Sequence, residues 1–97
     1  MNMHNPTHLG VILKELIIVP TGITITDVSE HLNISRKTLS KILNGRGAIT
    51  PEMALRIELA FKKPSADHWL LLQNAFDLWE TRQNESELKV QPYEFAH

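Results

Sequence analysis

The chain has 97 residues, 10 Lys and Arg against 11 Asp and Glu, and a formal net charge of −1. At 42% apolar and 22% charged it has the composition of one small globular domain, and without Cys it holds neither a disulfide framework nor a thiolate metal site. Such a chain suits a reducing compartment, the cytoplasm; its longest apolar runs, such as Leu16-Ile17-Ile18-Val19, are too short to cross a membrane, and its first residues predict no secretory signal.

The pattern predicts an all-α chain of five helices and a short tail. Leu9, Ile12, Leu13 and Leu16 recur on one face of a first helix over about 8–18, with Pro20 and Gly22 as its stop. A second helix over about 25–32 has Thr24 as N-cap and Asp27 three residues on, where a carboxylate suits the positive end of the helix dipole. Val28 and Leu32 point inward, and Asn33 tolerates the left-handed backbone that ends a helix.

A third helix starts almost at once. Ser35 is its N-cap, Leu39, Ile42 and Leu43 its apolar stripe, and Asn44-Gly45 its end. The fourth has Thr50 as N-cap and Pro51 at the first helical position, where a missing N–H costs nothing. Met53, Ile57 and Phe61 mark its inner face, aided by Ala54 and Ala60; Lys62 and Lys63 suit its C-terminal dipole, and Pro64 bars continuation.

The fifth helix opens after Ser65 and reaches Arg82. Trp69, Leu71, Leu72, Ala75, Phe76, Leu78 and Trp79 cover roughly half its circumference at about 100° per residue, with Leu70 in the polar arc. A surface helix needs an apolar stripe of only about 100°. The excess fits either a helix sunk deep between its neighbours or a second interface, with Trp69, Leu70, Leu72, Phe76 and Trp79 as its residues. From Asn84 on the chain is an acidic tail, and Pro92 disfavours helix there.

The charges are unevenly placed. Between Glu30 and Glu52 there is no acidic residue, and that window holds Arg36, Lys37, Lys41 and Arg46. From Ala66 to His97 the balance reverses: Asp67, Asp77, Glu80, Glu85, Glu87 and Glu94 face only Arg82 and Lys89. A local basic patch is the footprint of phosphate binding, although a solvated helix face has the same look.

The basic window coincides with two short helices joined by Asn33-Ile34-Ser35, a turn that makes them cross steeply. Ser29 is small where the helices approach, Ile34 fills the turn, and Leu39 locks against Val28. These are the demands of a helix-turn-helix, whose second helix lies in the major groove. Arg36, Lys37, Ser40 and Lys41 then become candidate base readers. Thr24, Ser35 and Thr38 sit at helix starts, where they bind phosphate or simply cap the helix. Asn44 and Arg46, at and past the helix end, reach bases or backbone.

The sequence resembles the HigA/VapI-type antitoxins, or plasmid-maintenance antidote proteins, of the lambda-repressor-like XRE helix-turn-helix class. The resemblance covers about 8–78 and is carried by Leu32-Asn33-Ile34-Ser35-Arg36, Leu43-Asn44-Gly45, Thr50-Pro51-Glu52-Met53-Ala54-Leu55-Arg56 and Trp69-Leu70-Leu71-Leu72-Gln73. The helix-turn-helix part is shared by many repressors; the last two segments are more specific. This chain departs from the family pattern at Leu9, Ile25, Ser29 and Asn33, where the family usually has Pro, Gln, Ala and Gly. The resemblance implies a five-helix lambda-repressor-like domain over 1–83, with dimerisation through the C-terminal helix, and an acidic tail over 84–97. It further implies a homodimer on a palindromic operator in its own promoter, a small RelE-like mRNA-cleaving toxin as partner, and no cofactor. The alternative is a stand-alone repressor of the same fold without a toxin.

An enzyme is not expected. Asp27, His31 and Ser35 are close in sequence, but Ser35 is already committed as an N-cap and nothing supplies an oxyanion hole. A metal site built from His4, His8, His31, His68 and His97 lacks a supporting carboxylate; His4 and His8 share a helix face only if the chain start is helical.

Overall fold

The computed structural model describes residues 7–96. Five helices account for the body: α1 (Leu9–Thr21), α2 (Ile25–Leu32), α3 (Arg36–Leu43), α4 (Pro51–Phe61) and α5 (Ala66–Arg82). There is no strand among the described residues. A 3-10 turn at Glu85–Leu88 precedes an end without regular secondary structure. No single helix is long and apolar enough to cross a membrane, and the chain bends by 107° between α1 and α2.

The helix starts follow the sequence closely. Thr24, Ser35, Thr50 and Ser65 all have extended backbone and accept the N–H three residues on: Asp27, Thr38, Met53 and His68 respectively. Each satisfies one of the donors that a helix start leaves free. Asn33 takes the left-handed conformation at φ 55°, and the N–H groups of Asn33 and Ile34 return to the Glu30 and Ser29 carbonyls. That geometry makes the turn between α2 and α3 tight.

Two helix ends differ from expectation. The first helix does not stop at Pro20. A π-turn over Lys14–Ile18, closed by the Val19 N–H on the Lys14 carbonyl, shifts the hydrogen-bond register. Pro20 then sits in the first turn of the resumed segment Val19–Thr21, where it needs no N–H. Gly22, at φ 68°, ends the helix. At its start, α1 has His8 as N-cap with extended backbone, close to the expected beginning, and His4 lies outside the described residues. In α4 the helix ends at Phe61, because Lys62 already takes the left-handed region at φ 72°.

One core serves all five helices. Leu9, Leu13 and Ile17 come from α1, Val28 and Leu32 from α2, Leu39 and Ile42 from α3, Met53, Ala54 and Ile57 from α4, and Trp69 from α5; Ile49 in the α3–α4 connection completes it. Val28 and Leu39 are both fully buried, as the crossing of α2 and α3 requires. Ser29 is buried beside them and donates its hydroxyl to the Thr26 carbonyl at 2.8 Å. Gly10 marks a close approach of two helices: a Cβ there would run into the Ile42 and Leu43 carbonyl oxygens. The missing side chain lets α1 lie directly on the end of α3.

The fifth helix resolves the question of its wide apolar arc in favour of incomplete burial. Trp69 is fully buried in the chain's own core and is therefore a packing residue, not an interface residue. Leu70 is turned inward and packs on the core, contrary to its place in the expected polar arc. Leu72 and Phe76 are half-buried against the core, and Trp79 is half-buried. The outward apolar positions are Leu71, 67% exposed, and Leu78, 47% exposed.

Candidate nucleic-acid interface

The site is built on α3. At about 100° per residue, Leu39 and Ile42 face the core, and the opposite side carries Arg36, Lys37, Ser40, Lys41 and Asn44. Leu39 and Ile42 are buried, while all five of the others are exposed. Arg46 follows in the exposed connection to α4. No acidic side chain stands on α3, and none of its cations takes part in an ion pair among the described residues. The helix thus presents free positive charge on a rigid, inward-anchored element.

The helix start is occupied by its own cap. The Ser35 hydroxyl accepts the Thr38 N–H at 3.0 Å and donates to the Thr38 hydroxyl at 2.9 Å. Thr24 is likewise engaged by the Asp27 N–H at 3.1 Å. All three hydroxyl residues are exposed, so capping and a phosphate contact are compatible. At the other end, the Asn44 amide donates to the Ser40 hydroxyl at 3.3 Å, which holds both side chains on the outer face.

Two clefts flank α3. One lies against α1 and the start of α2 and is lined by Lys14, Ile25, Arg36, Lys37, Ser40, Leu43 and Asn44. The other lies toward α4 and takes in Ser35, Thr38, Lys41, Gly47, Ala48, Thr50 and Glu52. The structure therefore gathers the sequence candidates of α3 on one surface and splits their edges between two clefts. Thr24 and Arg46 line neither. Lys14 is not among the sequence candidates. Its one sequence signal is to be the only cation before Arg36.

The more specific segments of the chain hold this surface in place. The Arg56 guanidinium donates to the Leu32 carbonyl at 2.9 Å and the Asn33 carbonyl at 3.3 Å, and pairs with Glu52 at 3.0 Å. It thereby ties α4 to the turn of the helix-turn-helix, where α2 leaves carbonyls without intrahelical partners. Gln73 on α5 accepts the Ile49 N–H at 2.8 Å and donates to Asp77. Glu58 accepts the Ala66 N–H at 2.7 Å, which fixes the start of α5.

Among the described residues, the side chains weighed for other chemistry have other partners. Ser35 is spent on Thr38, and His31 packs edge-on against Phe61, with ring centres 6.3 Å apart. Among the described residues no three His, Asp or Glu side chains are grouped to hold a metal ion. His97 lies outside the described residues.

Comparison with known proteins agrees with this geometry. Residues 13–77 match the helix-turn-helix family. Virulence-associated protein A of Dichelobacter nodosus is 43% identical over 76 residues, 78% of this chain and 74% of that protein. Antitoxin HigA-1 of Vibrio cholerae is 35% identical over 79% of this chain and 71% of its own length. The solved antitoxin GraA is 31% identical and superposes over 94% of this chain and 100% of its own with a TM-score of 0.84. In complex with its operator it superposes over 98% of each chain with a TM-score of 0.83. The chain thus belongs to the helix-turn-helix family of DNA-binding antitoxins of the HigA and VapI type.

Proposed function

We propose that this chain is an antitoxin that binds a palindromic operator in its own promoter as a homodimer and neutralises a RelE-like, mRNA-cleaving toxin. The observation that carries the DNA reading is the outer face of α3: Arg36, Lys37 and Lys41 exposed together, without a carboxylate on the helix. Arg36, Lys37, Ser40 and Lys41 contact base edges, Thr24, Ser35 and Thr38 contact phosphates, and Asn44 and Arg46 contact either. In a two-fold dimer the two α3 helices enter successive major grooves about 34 Å apart. GraA bound to its operator supports this mode. A protein acting at its own promoter works in the cytoplasm.

The protein-binding side is the C-terminal one. Leu71 and Leu78 are exposed on α5, and Asp67, Asp77, Glu80, Glu85, Glu87 and Glu94 are exposed around and beyond it. An apolar stripe rimmed by carboxylates fits a second copy of the chain and a basic toxin. The test uses a labelled duplex from the region upstream of this reading frame and the product of the neighbouring reading frame. The reading expects a retarded duplex and a stable complex with a basic, toxin-sized neighbour. A duplex that binds no better than a scrambled one contradicts the operator assignment. DNA binding without any neighbour that forms a complex points to the stand-alone repressor.

A further inference from the structure

The start of α1 closes over the end of α3. There Gly45 takes the left-handed conformation at φ 74°, and its N–H donates to the Ile42 carbonyl at 3.1 Å. The Arg46 N–H reaches back to the Lys41 carbonyl at 2.8 Å. These paired bonds are those of a helix that ends through a left-handed residue, and they satisfy two carbonyls that the last turn leaves free. The His8 ring covers this turn. A Cβ on Gly45 would stand 3.0 Å from both Cγ and Cδ2 of the imidazole and 3.2 Å from Nδ1. Three ring atoms at nearly equal distance present the face of the ring to Gly45, in the space that a side chain at 45 would need.

The ring is held there by backbone. His8 is the N-cap of α1, and its carbonyl accepts the Val11 N–H at 3.1 Å. Two residues on, Gly10 seats α1 against the Ile42 and Leu43 carbonyls, and Leu9 and Leu13 anchor the helix in the core. Hydrogen bonding does not explain the placement. The His8 side chain caps nothing, and its Nδ1 is buried without a hydrogen-bond partner among the described residues. Such a nitrogen is unfavourable to bury and calls for another reason. The contact with Gly45 is that reason. A glycine at the end of a helix is free to leave the left-handed region, and a ring packed on it removes that freedom. The next residue is Arg46, exposed and just past the end of α3.

We propose that His8 is a positioning residue for DNA recognition: its imidazole holds the Gly45 turn and so sets the direction in which Arg46 leaves α3. His8 itself touches no DNA. Arg46 is a long side chain on an exposed connection, and ordering it on binding opposes affinity. Fixing the turn before it reduces that loss. The proposal rests on the reading of Arg46 as a DNA contact and adds to it the residue that keeps this contact aimed.

The test is a double-mutant cycle of His8→Asn with Arg46→Ala, with His8→Phe as the conservative variant. Asn is a favoured N-cap, so His8→Asn removes the ring while supporting the start of α1; His8→Phe keeps a ring face against Gly45. Each folded protein, with its Tm recorded, is titrated by fluorescence anisotropy onto a duplex from its own promoter and onto a scrambled duplex. The proposal expects His8→Asn to weaken promoter binding several-fold with Tm held within a few degrees, and His8→Phe to bind nearly as the parent does. In the Arg46→Ala background His8→Asn adds little, because the two residues act as one unit. Promoter affinity unchanged in His8→Asn overturns the proposal. So does the same fold loss in both backgrounds, which separates His8 from Arg46, and so does a His8→Phe variant as weak as His8→Asn. Full promoter affinity in Arg46→Ala overturns the Arg46 contact and the proposal with it, leaving the rest of α3 as the reader. A parent that binds the scrambled duplex equally well overturns the operator reading itself.

Discussion

At the scale of single residues, the fold turns on a few side chains whose roles are not visible as hydrophobic pattern. Gly10 is one: any side chain there meets backbone oxygen, which cannot move aside as a flexible side chain does. Gly10→Ala is expected to cost about 1–3 kcal/mol, the usual price of overpacking, as a lower urea midpoint. Arg56 is another. Its guanidinium serves the carbonyls at the end of α2, so Arg56→Ala leaves them unpaired and loosens the turn that aims α3. The charge alone gave no hint of this; in the sequence Arg56 is one cation among ten. Trp69 was legible as apolar but not as wholly buried. Its helical position is compatible with either face, and only the packing of α4 and α5 decides it. Trp69→Ala is expected to destabilise by about 3–5 kcal/mol, read in a melting curve.

At the scale of elements, the starts of helices were far more legible than their ends. Thr24, Ser35, Thr50 and Ser65 announce their helices because a short hydroxyl side chain satisfies a local donor, and local chemistry is written in local sequence. Ser35→Ala is expected to cost about 1 kcal/mol in chemical denaturation, with α3 still formed because Leu39 and Ile42 keep it anchored. Helix ends depend on more than the residues there. Pro20 marks a stop by itself, yet the π-turn before it carries α1 on to Thr21. The outer face of α3 followed directly from periodicity, since two buried positions fix where the rest must point. The cleft partner Lys14 did not, because it depends on how closely α1 approaches α3.

At the scale of the whole molecule, the net charge of −1 is the sum of a basic segment and an acidic one. The cations of α3 face outward on one side, and the exposed carboxylates of 67–94 lie on and beyond α5. The molecule is elongated, 57 × 24 × 24 Å. Leu71→Glu combined with Leu78→Glu removes the outward apolar stripe of α5 without touching the buried Trp69. On the proposed homodimer reading, sedimentation is expected to show a dimer for the parent and a folded monomer for this variant; a variant that stays dimeric places the interface elsewhere, and a monomeric parent contradicts the homodimer. A dimer with about four to eight phosphate contacts is also expected to lose affinity steeply with salt, at about −0.9 in log–log slope per contact.

The central claim is that the outer face of α3 reads operator DNA. Its most direct test is the affinity of the Arg36→Ala, Lys41→Ala double variant for a duplex from its own promoter, measured beside its melting temperature. Both side chains are exposed, so the account predicts that specific binding is lost while the melting temperature stays within a few degrees of the parent. Promoter binding that survives the double change in a folded protein would contradict it.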